Sequence, residues 1–333
     1  MNDLPPDLFS WLSDRLPGKP AITGARRFGT GQSNPTWCLT TGQGALVLRA
    51  KPAGDLLPKA HDVAREFRVM QALEQTAVPV PRMYLLARGA NPLGRDFYVM
   101  EHLDGRIFWD PALPEAPDPA PFYAAMAEVL ASLHEVDPAA VGLGDYGRSE
   151  GFYARQVALW SRQYASAVST PDPRMEDLGQ WLAEQQIPDA PATVSHGDFR
   201  LDNMIFHPEE PRVIGLLDWE LSTLGHPMAD LAYQVMQWHL PWDGPLRGLG
   251  GVDRAALNLP SDADYVARYL AHRNMSQATD LRVWLVLAAY RFAAILAGVG
   301  ARAAAGNASN PVQGRAYGAL VPRVIELAFA IRG

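Results

Sequence analysis

The sequence has little of several features that would restrict its class. It contains one cysteine, Cys38, among 333 residues, which excludes an internal disulfide and suits a reducing cytoplasm. It has no run of lysine or arginine, and its formal net charge is -7, so nucleic acid is not expected as the main partner. It also has no heptad array, internal repeat or zinc-type cysteine pair.

Long uninterrupted apolar runs are absent as well. The longest one, residues 283–299, contains Arg291, which predicts a buried core helix and not a membrane span. The acidic residues 1–7 lack the apolar stretch of a signal peptide. With 48% hydrophobic residues, the chain can bury the core of two lobes. We therefore expect a soluble, cytoplasmic enzyme with no membrane partner, and the oligomeric state stays open.

The most specific motif is an ordered set of polar residues in the second half of the chain. His196 and Asp198 precede Asn203, and Asp218 follows the apolar run 213–217, which predicts a buried strand. Phosphoryl-transfer enzymes of the kinase type use this order, in which one carboxylate orients a hydroxyl and a downstream Asn and Asp hold magnesium. Asp198 is therefore predicted as the catalytic base, and Asn203 and Asp218 as the magnesium ligands.

Residues around this motif receive supporting roles. Arg200 lies two positions after Asp198, where a cation can reach the transferring phosphate. His196, grouped with the catalytic residues, is expected to brace the loop and not to transfer protons. Asp230, at the start of a predicted helix, is expected to be a second brace, and Asp202 is interpreted as a solvated loop residue.

A nucleotide-binding lobe is predicted upstream. Gly29, Gly31, Ser33 and Asn34 precede the strand-like residues 37–40, so their backbone N–H groups can cover the phosphates of ATP. The segment departs from G-x-G-x-x-G because Asn34 stands at the third glycine position. A glycine-rich hairpin turn is the alternative meaning of this segment.

The next predicted strand carries the cation for the phosphates. In residues 45–51 a period of two places Arg49 and Lys51 on one face, and Arg49 takes the place of the usual kinase lysine. Glu66, on a predicted helix, is expected to pair with Arg49 and point it at the phosphates. Lys51 can also reach the phosphates, and the alternative for it is a solvated cation at the edge of the sheet.

These elements together predict a fold. The segment from Glu101 to Leu103 follows a strand and is expected to contact adenine through its backbone. We expect an α/β (α+β) bilobal fold of the protein-kinase kind: an antiparallel sheet lobe over residues 1–103 and a mainly helical lobe over residues 104–333. The helical stretches 151–167 and 175–186, and those from 262 onward, are expected to wall the acceptor pocket.

Several segments resemble the aminoglycoside phosphotransferase and choline kinase superfamily, whose members phosphorylate hydroxyls of small molecules with ATP and magnesium. The similarity is greatest to the kinase-like domain fused to certain acyl-CoA dehydrogenases and to its stand-alone bacterial relatives. This resemblance implies a hydroxyacyl-CoA or hydroxy acid as the phosphate acceptor. It covers nearly the whole chain and is carried by residues 28–36, 47–49, 105–108, 155–157 with Trp160 and Tyr164, 196–206, 217–223 and 291–295.

Other interpretations remain open. An aromatic loop with Trp238 and Trp242 suits an apolar acceptor better than an aminoglycoside, although these side chains can equally fill a core. A pseudokinase that binds nucleotide and scaffolds a partner is a second interpretation. A metal-dependent hydrolase that uses His196, Asp198, His207 and Asp218 is a third. The sequence has no further histidine cluster that would complete a tight metal site, which argues against it.

Overall fold

The chain forms two compact units. The computed structural model describes residues 4–29, 34–53, 62–148, 150–275, 280–306 and 310–333. Unit 1 comprises Met1–Arg106 and Met204–Leu221, and unit 2 comprises Ile107–Asn203 and Ser222–Gly333. The lobe boundary after residue 103 stays a prediction from the sequence.

The strands of unit 1 are β1 (Ile22–Arg27), β2 (Thr36–Thr41), β3 (Gly44–Ala50), β4 (Met83–Ala87), β5 (Phe97–Glu101), β7 (Met204–Phe206) and β8 (Val213–Leu216). The first five form an antiparallel sheet with the strand order β1-β2-β3-β5-β4, and β7 and β8 form a separate antiparallel pair. The helices of this unit are α1 (Pro6–Arg15) and α2 (Val63–Leu73).

The core of unit 1 follows from the alternation of its strands. In β2, Trp37 and Leu39 are buried two residues apart and pack with Leu8 and Leu12 of α1. Helix α2 begins after Asp62, whose side chain accepts hydrogen bonds from two backbone N–H groups of the first turn. One face of the sheet therefore packs against α1.

Unit 2 is mainly helical, with one short antiparallel pair, β6 (Thr193–Ser195) with β9 (Thr223–Gly225). Its helices are α3 (Ala120–Glu135), α4 (Phe152–Ala167), α5 (Pro173–Glu184), α6 (Pro227–Trp238), α7 (Asp262–His272), α8 (Leu281–Ala304), α9 (Pro311–Gly318) and α10 (Val321–Arg332). The prediction of an antiparallel sheet followed by a mainly helical region is confirmed, and the predicted helices over 151–167 and 175–186 correspond to α4 and α5.

Helix α8 is the central element of unit 2 and packs against α4, α5, α6, α9 and α10. By length and hydropathy alone it could cross a membrane, but 67% of its most apolar window is buried inside the protein. The prediction of a buried core helix is confirmed. Its approach to α9 requires glycine, because a Cβ on Gly300 would lie 2.9 Å from the Cα of Gly318.

The prediction that the residues after Asp230 form an aromatic loop is wrong for the first half of that segment. Residues up to Trp238 belong to helix α6, and Trp238 is 1% exposed. Its ring makes edge contacts with Tyr123, at 5.1 Å between centroids, and with Tyr265, at 4.9 Å. The sequence pattern was misleading because aromatic residues on a fully buried helix show no polar face that would reveal a helical period. Trp242, in contrast, is 57% exposed.

This difference in burial predicts opposite effects for two tryptophan substitutions. Trp238→Ala should lower the free energy of unfolding by about 3–5 kcal/mol, because it empties a packed aromatic site. Trp242→Ala is the matched control, with an expected change within about 0.5 kcal/mol. Urea unfolding of both variants measures the difference. A Trp238→Ala protein as stable as the wild type would contradict the observed packing.

Candidate active site

In unit 1, Arg49 lies between two carboxylates. Its Nε is 2.9 Å from Oε2 of Glu66, and one terminal nitrogen is 2.7 Å from Oδ1 of Asp218. The side chain of Glu66 is 1% exposed, whereas that of Asp218 is 32% exposed. The structure thus brings together Arg49 and Glu66, as the sequence predicted, and adds Asp218 to the same ion-pair network.

Two polar side chains hold Glu66 in place. The amide nitrogen of Asn34 donates to Oε1 at 2.7 Å, and the hydroxyl of Tyr98 donates to Oε2 at 3.1 Å. Asn34 is 3% exposed, so its side chain positions the carboxylate. Tyr98 was missed in the sequence, although it lies opposite Arg49 in the pairing of β3 with β5. That register is a property of the folded sheet.

Burial and charge act against each other in this network. Burial alone would lower the pKa of Arg49, but the attraction of Glu66 and Asp218 raises it above its usual value, so the guanidinium stays charged. Burial raises the pKa of Glu66, and Arg49 opposes that shift. The hydrogen bonds from Tyr98 and Asn34 oppose it as well, so they favour the charged form of Glu66 together with Arg49.

Asp218 has an unusual backbone conformation. It lies two residues after the end of β8 and has φ +65°, a region that residues other than glycine seldom adopt. The next residue, Trp219, is fully buried and donates from Nε1 to the carbonyl of Leu216 at 2.9 Å. The expectation that Trp219 packs is confirmed. A strained residue with a partly exposed carboxylate indicates a functional constraint at Asp218.

In unit 2, the predicted catalytic loop connects β6 to a short 3₁₀ turn, Leu201–Asn203. The amide nitrogen of Asn203 donates to the backbone oxygen of Asp198 at 2.8 Å and to its carboxylate at 3.0 Å. These bonds use the nitrogen of Asn203, so its amide oxygen is the atom that a hard cation would bind. The structure therefore brings Asp198 and Asn203 together.

A buried carboxylate braces this loop, as the sequence predicted for Asp230. Its two oxygens accept from the backbone N–H groups of His196, at 2.7 Å, and Gly197, at 2.9 Å. The hydroxyl of Ser195 donates to the same carboxylate at 2.9 Å. Three consecutive residues before the predicted base are thus bound to one side chain. His196 is itself fully buried, and its Nδ1 accepts from the backbone N–H of Asp198 at 3.2 Å, as expected of a brace.

A histidine completes the surroundings of Asp230. The Nε2 of His134 lies 3.4 Å from Oδ2 of Asp230, and its Nδ1 lies 2.7 Å from the hydroxyl of Tyr269. Burial lowers the pKa of His134. A neutral ring with its proton on Nε2 donates to Asp230 and accepts from Tyr269, which satisfies all three groups. Burial alone would raise the pKa of Asp230, but the hydrogen bonds from His134 and from the backbone lower it to about 2.

The interpretation of Asp202 as a solvated residue is wrong. Its carboxylate is 16% exposed and pairs with Arg200, with 2.6 Å between Nε and Oδ1 and a second contact from a terminal nitrogen. The charges of Asp202 and Asp198 outweigh burial and raise the pKa of Arg200 well above its usual value. The sequence analysis did not predict this ion pair, because side chains two residues apart meet only when the backbone turns sharply between them.

The remaining predicted residues are placed as follows. Gly29 is exposed, and Gly31 and Ser33 lie outside the described residues. Glu101 ends β5, and its backbone N–H donates to the carbonyl of Arg82 at 2.8 Å. Leu103 packs against Gly215, since a Cβ added to Gly215 would lie 2.4 Å from the Cδ1 of Leu103. Their contacts with a nucleotide stay predictions.

Two further residues next to the loop were not assigned a role from the sequence. Burial, followed by the charge of Asp198, raises the pKa of Tyr233. Arg291 donates to the backbone oxygen of Gly197. Both belong to helices distant in sequence from the loop, so no local pattern identifies them.

The described residues offer no group of three or more His, Cys, Asp and Glu side chains that could hold a metal ion. The metal-dependent hydrolase stays an alternative interpretation of the sequence. An Arg on an antiparallel sheet paired with a Glu on a helix, together with a His-x-Asp loop closed by Asn203, defines a protein of the kinase-like class.

Comparison with known proteins identifies the family. The model of the phosphotransferase enzyme family matches residues 24–265, and the chain belongs to this family. The chain is 43% identical over 309 residues to acyl-CoA dehydrogenase family member 11 of Gallus gallus, which covers 90% of the chain and 40% of that protein. It therefore spans about two fifths of this relative. The prediction of a phosphotransferase enzyme is confirmed, as is the resemblance to the domain fused to acyl-CoA dehydrogenases.

Solved structures confirm the kinase-like fold. A crystal structure from Ralstonia eutropha, provisionally assigned as an aminoglycoside phosphotransferase, is 38% identical with a TM-score of 0.87, covering 98% of this chain and 97% of that chain. A thermostable aminoglycoside phosphotransferase mutant, solved with AMP-PNP and hygromycin B, is 14% identical with a TM-score of 0.61, covering 97% and 99% of the two chains. The second likeness shows the fold alone.

The brace predicts how stability depends on pH. Because the pKa of Asp230 falls from 3.8 to about 2 on folding, the unfolded chain takes up the proton first as pH falls. The stabilisation by Asp230 is therefore complete above about pH 4 and is lost as pH falls toward about 2. Asp230→Asn should lower the free energy of unfolding at pH 7, and its deficit relative to wild type should shrink below about pH 4. Urea unfolding of both proteins across this range measures it, and a deficit that stays constant with pH would contradict the ionised brace.

Proposed function

We propose that the protein transfers the terminal phosphate of ATP to a hydroxyl of a small molecule, which is a hydroxyacyl-CoA or hydroxy acid. The observation that carries the proposal is the catalytic loop, in which Asn203 is bonded to Asp198 and the preceding backbone is bound to Asp230. This arrangement leaves the carboxylate of Asp198 partly exposed for an incoming hydroxyl.

The proposed reaction assigns one step to Asp198. Its carboxylate orients the acceptor hydroxyl and takes up the proton as the acceptor oxygen bonds to the terminal phosphorus. The bond from that phosphorus to the bridging oxygen breaks, and ADP leaves. Arg49 would bind the nucleotide phosphates, held in place by Glu66, and Arg200 would lie near the transferring group.

The order of residues in the sequence assigns Asn203 and Asp218 to one magnesium ion, and each side chain by itself suits that role. Asp218 contributes a partly exposed carboxylate, and Asn203 contributes the amide oxygen that its hydrogen bonds leave available. Both are hard oxygen ligands of the kind that magnesium prefers. Bound magnesium would neutralise charge on the phosphates. Adenine would contact the backbone of Glu101 and Leu103, and the loop with Gly29, Gly31 and Ser33 would cover the phosphates.

A cavity of about 20 Å³, enough for about one water molecule, lies beside the catalytic loop in unit 2. Phe152, Trp160, Trp284 and Leu287 line it with apolar surface, and Arg291 contributes its charge. It is too small to hold an acceptor, so the acceptor class rests on the relatives. The names of the relatives, which place a similar domain beside acyl-CoA dehydrogenases, support an acyl acceptor.

A second candidate is an aminoglycoside or another small-molecule alcohol as acceptor. The name of the Ralstonia structure favours it, at 38% identity over nearly the whole chain. The intact pair of Asp198 and Asn203 disfavours a pseudokinase scaffold. A cytoplasmic location and the absence of nucleic-acid and membrane partners stay predictions from the sequence.

The acceptor is identified by direct detection of product. Mass spectrometry should find phosphoryl transfer from Mg-ATP to hydroxyacyl-CoAs or hydroxy acids in a panel that also holds choline, sugars and aminoglycosides. Asp198→Asn should lower kcat by about a hundred- to ten-thousandfold while nucleotide affinity is retained, because the base contacts the acceptor. Selective turnover of an aminoglycoside would overturn the acyl acceptor, and full activity of folded Asp198→Asn would overturn the assigned base.

The magnesium assignment predicts a metal-dependent loss. Asp218→Asn keeps the size of the side chain but removes the charge that a magnesium ion would bind, so Mg-ATP should stabilise the variant less than the wild type. Thermal-shift titrations measure this, and the same titrations with ATP and EDTA are the control. If Mg-ATP raises the Tm of both proteins equally, the metal is bound elsewhere.

A further inference from the structure

One peptide group next to the predicted base is held from both sides. The backbone oxygen of Gly197 accepts a hydrogen bond from Arg291, and the backbone N–H of Asp198 donates to Nδ1 of His196 at 3.2 Å. These two atoms belong to the same planar peptide unit, so the two bonds fix its orientation. The orientation of this plane sets where the Cα of Asp198 lies.

The backbone conformation at this point depends on such restraints. Gly197 has φ +83°, which a glycine adopts without steric cost but also leaves easily. Its N–H is bound to Asp230 at 2.9 Å, and its carbonyl to Arg291. An anion on helix α6 and a cation on helix α8 thus hold the two ends of one flexible residue.

The guanidinium of Arg291 is itself held in a slot. Its central carbon lies 5.2 Å from the ring centroid of Trp160 on α4 and 4.9 Å from that of Tyr233 on α6. Within the described part of the chain, Arg291 makes no ion pair with a carboxylate, so stacking on the two rings takes the place of a salt bridge. A planar group close to two rings has fewer orientations than a free one, which makes its hydrogen bond a firmer restraint.

We propose that Arg291 is a positioning residue for phosphoryl transfer: it orients the Gly197–Asp198 peptide and so places the carboxylate of Asp198. This inference rests on the proposed function, because it takes Asp198 as the base. Arg291 acts through the loop, so its loss should lower kcat and leave the KM for ATP nearly unchanged.

Three variants test the proposal. Arg291→Ala removes the donor and empties the slot, and Arg291→Met fills the slot without a donor. Arg254→Ala is the matched control, since Arg254 also stacks on a ring, that of Trp238 at 5.2 Å, and pairs with Asp262. Circular dichroism and Tm establish that each variant is folded before its kinetics are measured.

The expected result is specific to Arg291. Both Arg291 variants should lose about a hundredfold in kcat, the effect of a displaced catalytic group, while the KM for ATP changes by less than about threefold. Arg254→Ala should keep its kcat. Added guanidinium, below concentrations that unfold the protein, should restore part of the activity of Arg291→Ala but not of Arg291→Met, with equal sodium chloride as the control.

Three outcomes would overturn the proposal. They are wild-type kcat in a folded Arg291→Met protein, an equal loss of kcat in Arg254→Ala, and an equal response of both Arg291 variants to guanidinium. Its failure is distinguishable from that of the proposed function. If Asp198→Asn is inactive and the Arg291 variants are fully active, only the role of Arg291 is wrong, whereas an active Asp198→Asn removes both.

Discussion

The need to satisfy buried carboxylates organises the functional residues in both units. A carboxylate removed from water is stable only when hydrogen bonds or opposite charges replace its hydration. In unit 2, Asp230 meets this need with the backbone of the catalytic loop, so the cost of burial is offset by contacts that also order the loop. In unit 1, Glu66 meets it with Arg49, Asn34 and Tyr98, which holds Arg49 in a single orientation. The same requirement thus stabilises each unit and positions a residue proposed to take part in phosphoryl transfer.

The rigid surroundings explain why the chemistry can rest on few side chains. Phosphoryl transfer asks the protein mainly for positioning and for charge neutralisation. Asp198 is placed by Asn203, by His196 and, as we propose, by Arg291, none of which needs to react. Helices α4, α6 and α8 carry the residues around Arg291, so the catalytic loop and the cavity lined by Trp160 share the same supports.

Much of the fold and part of the site could be predicted because their signals are local. The two-residue period of β3 placed Arg49 on one face, and the apolar run before Asp218 predicted the strand that ends there. The spacing of Asp198 and Asn203 predicted one catalytic loop, and in the structure the two side chains are hydrogen-bonded to each other within that loop. The aromatic residues before Trp238 were misassigned because a helix buried on all sides lacks the polar face that reveals its period. Asp202 was misjudged because its partner Arg200 is two residues away, a distance at which regular elements allow no contact.

The sequence by itself determined the types and the order of the residues proposed for the reaction, since phosphoryl transfer needs a base and hard oxygen ligands at fixed spacings. Tertiary structure decided which residues support them. Tyr98 meets Glu66 through the register of a sheet, and Tyr233 and Arg291 reach the loop from helices tens of residues away. Such partners leave no periodic trace, because each depends on how separate elements pack and not on the local backbone. Short motifs therefore predict the chemistry of the site, whereas its rigidity comes from contacts that exist only in the folded chain.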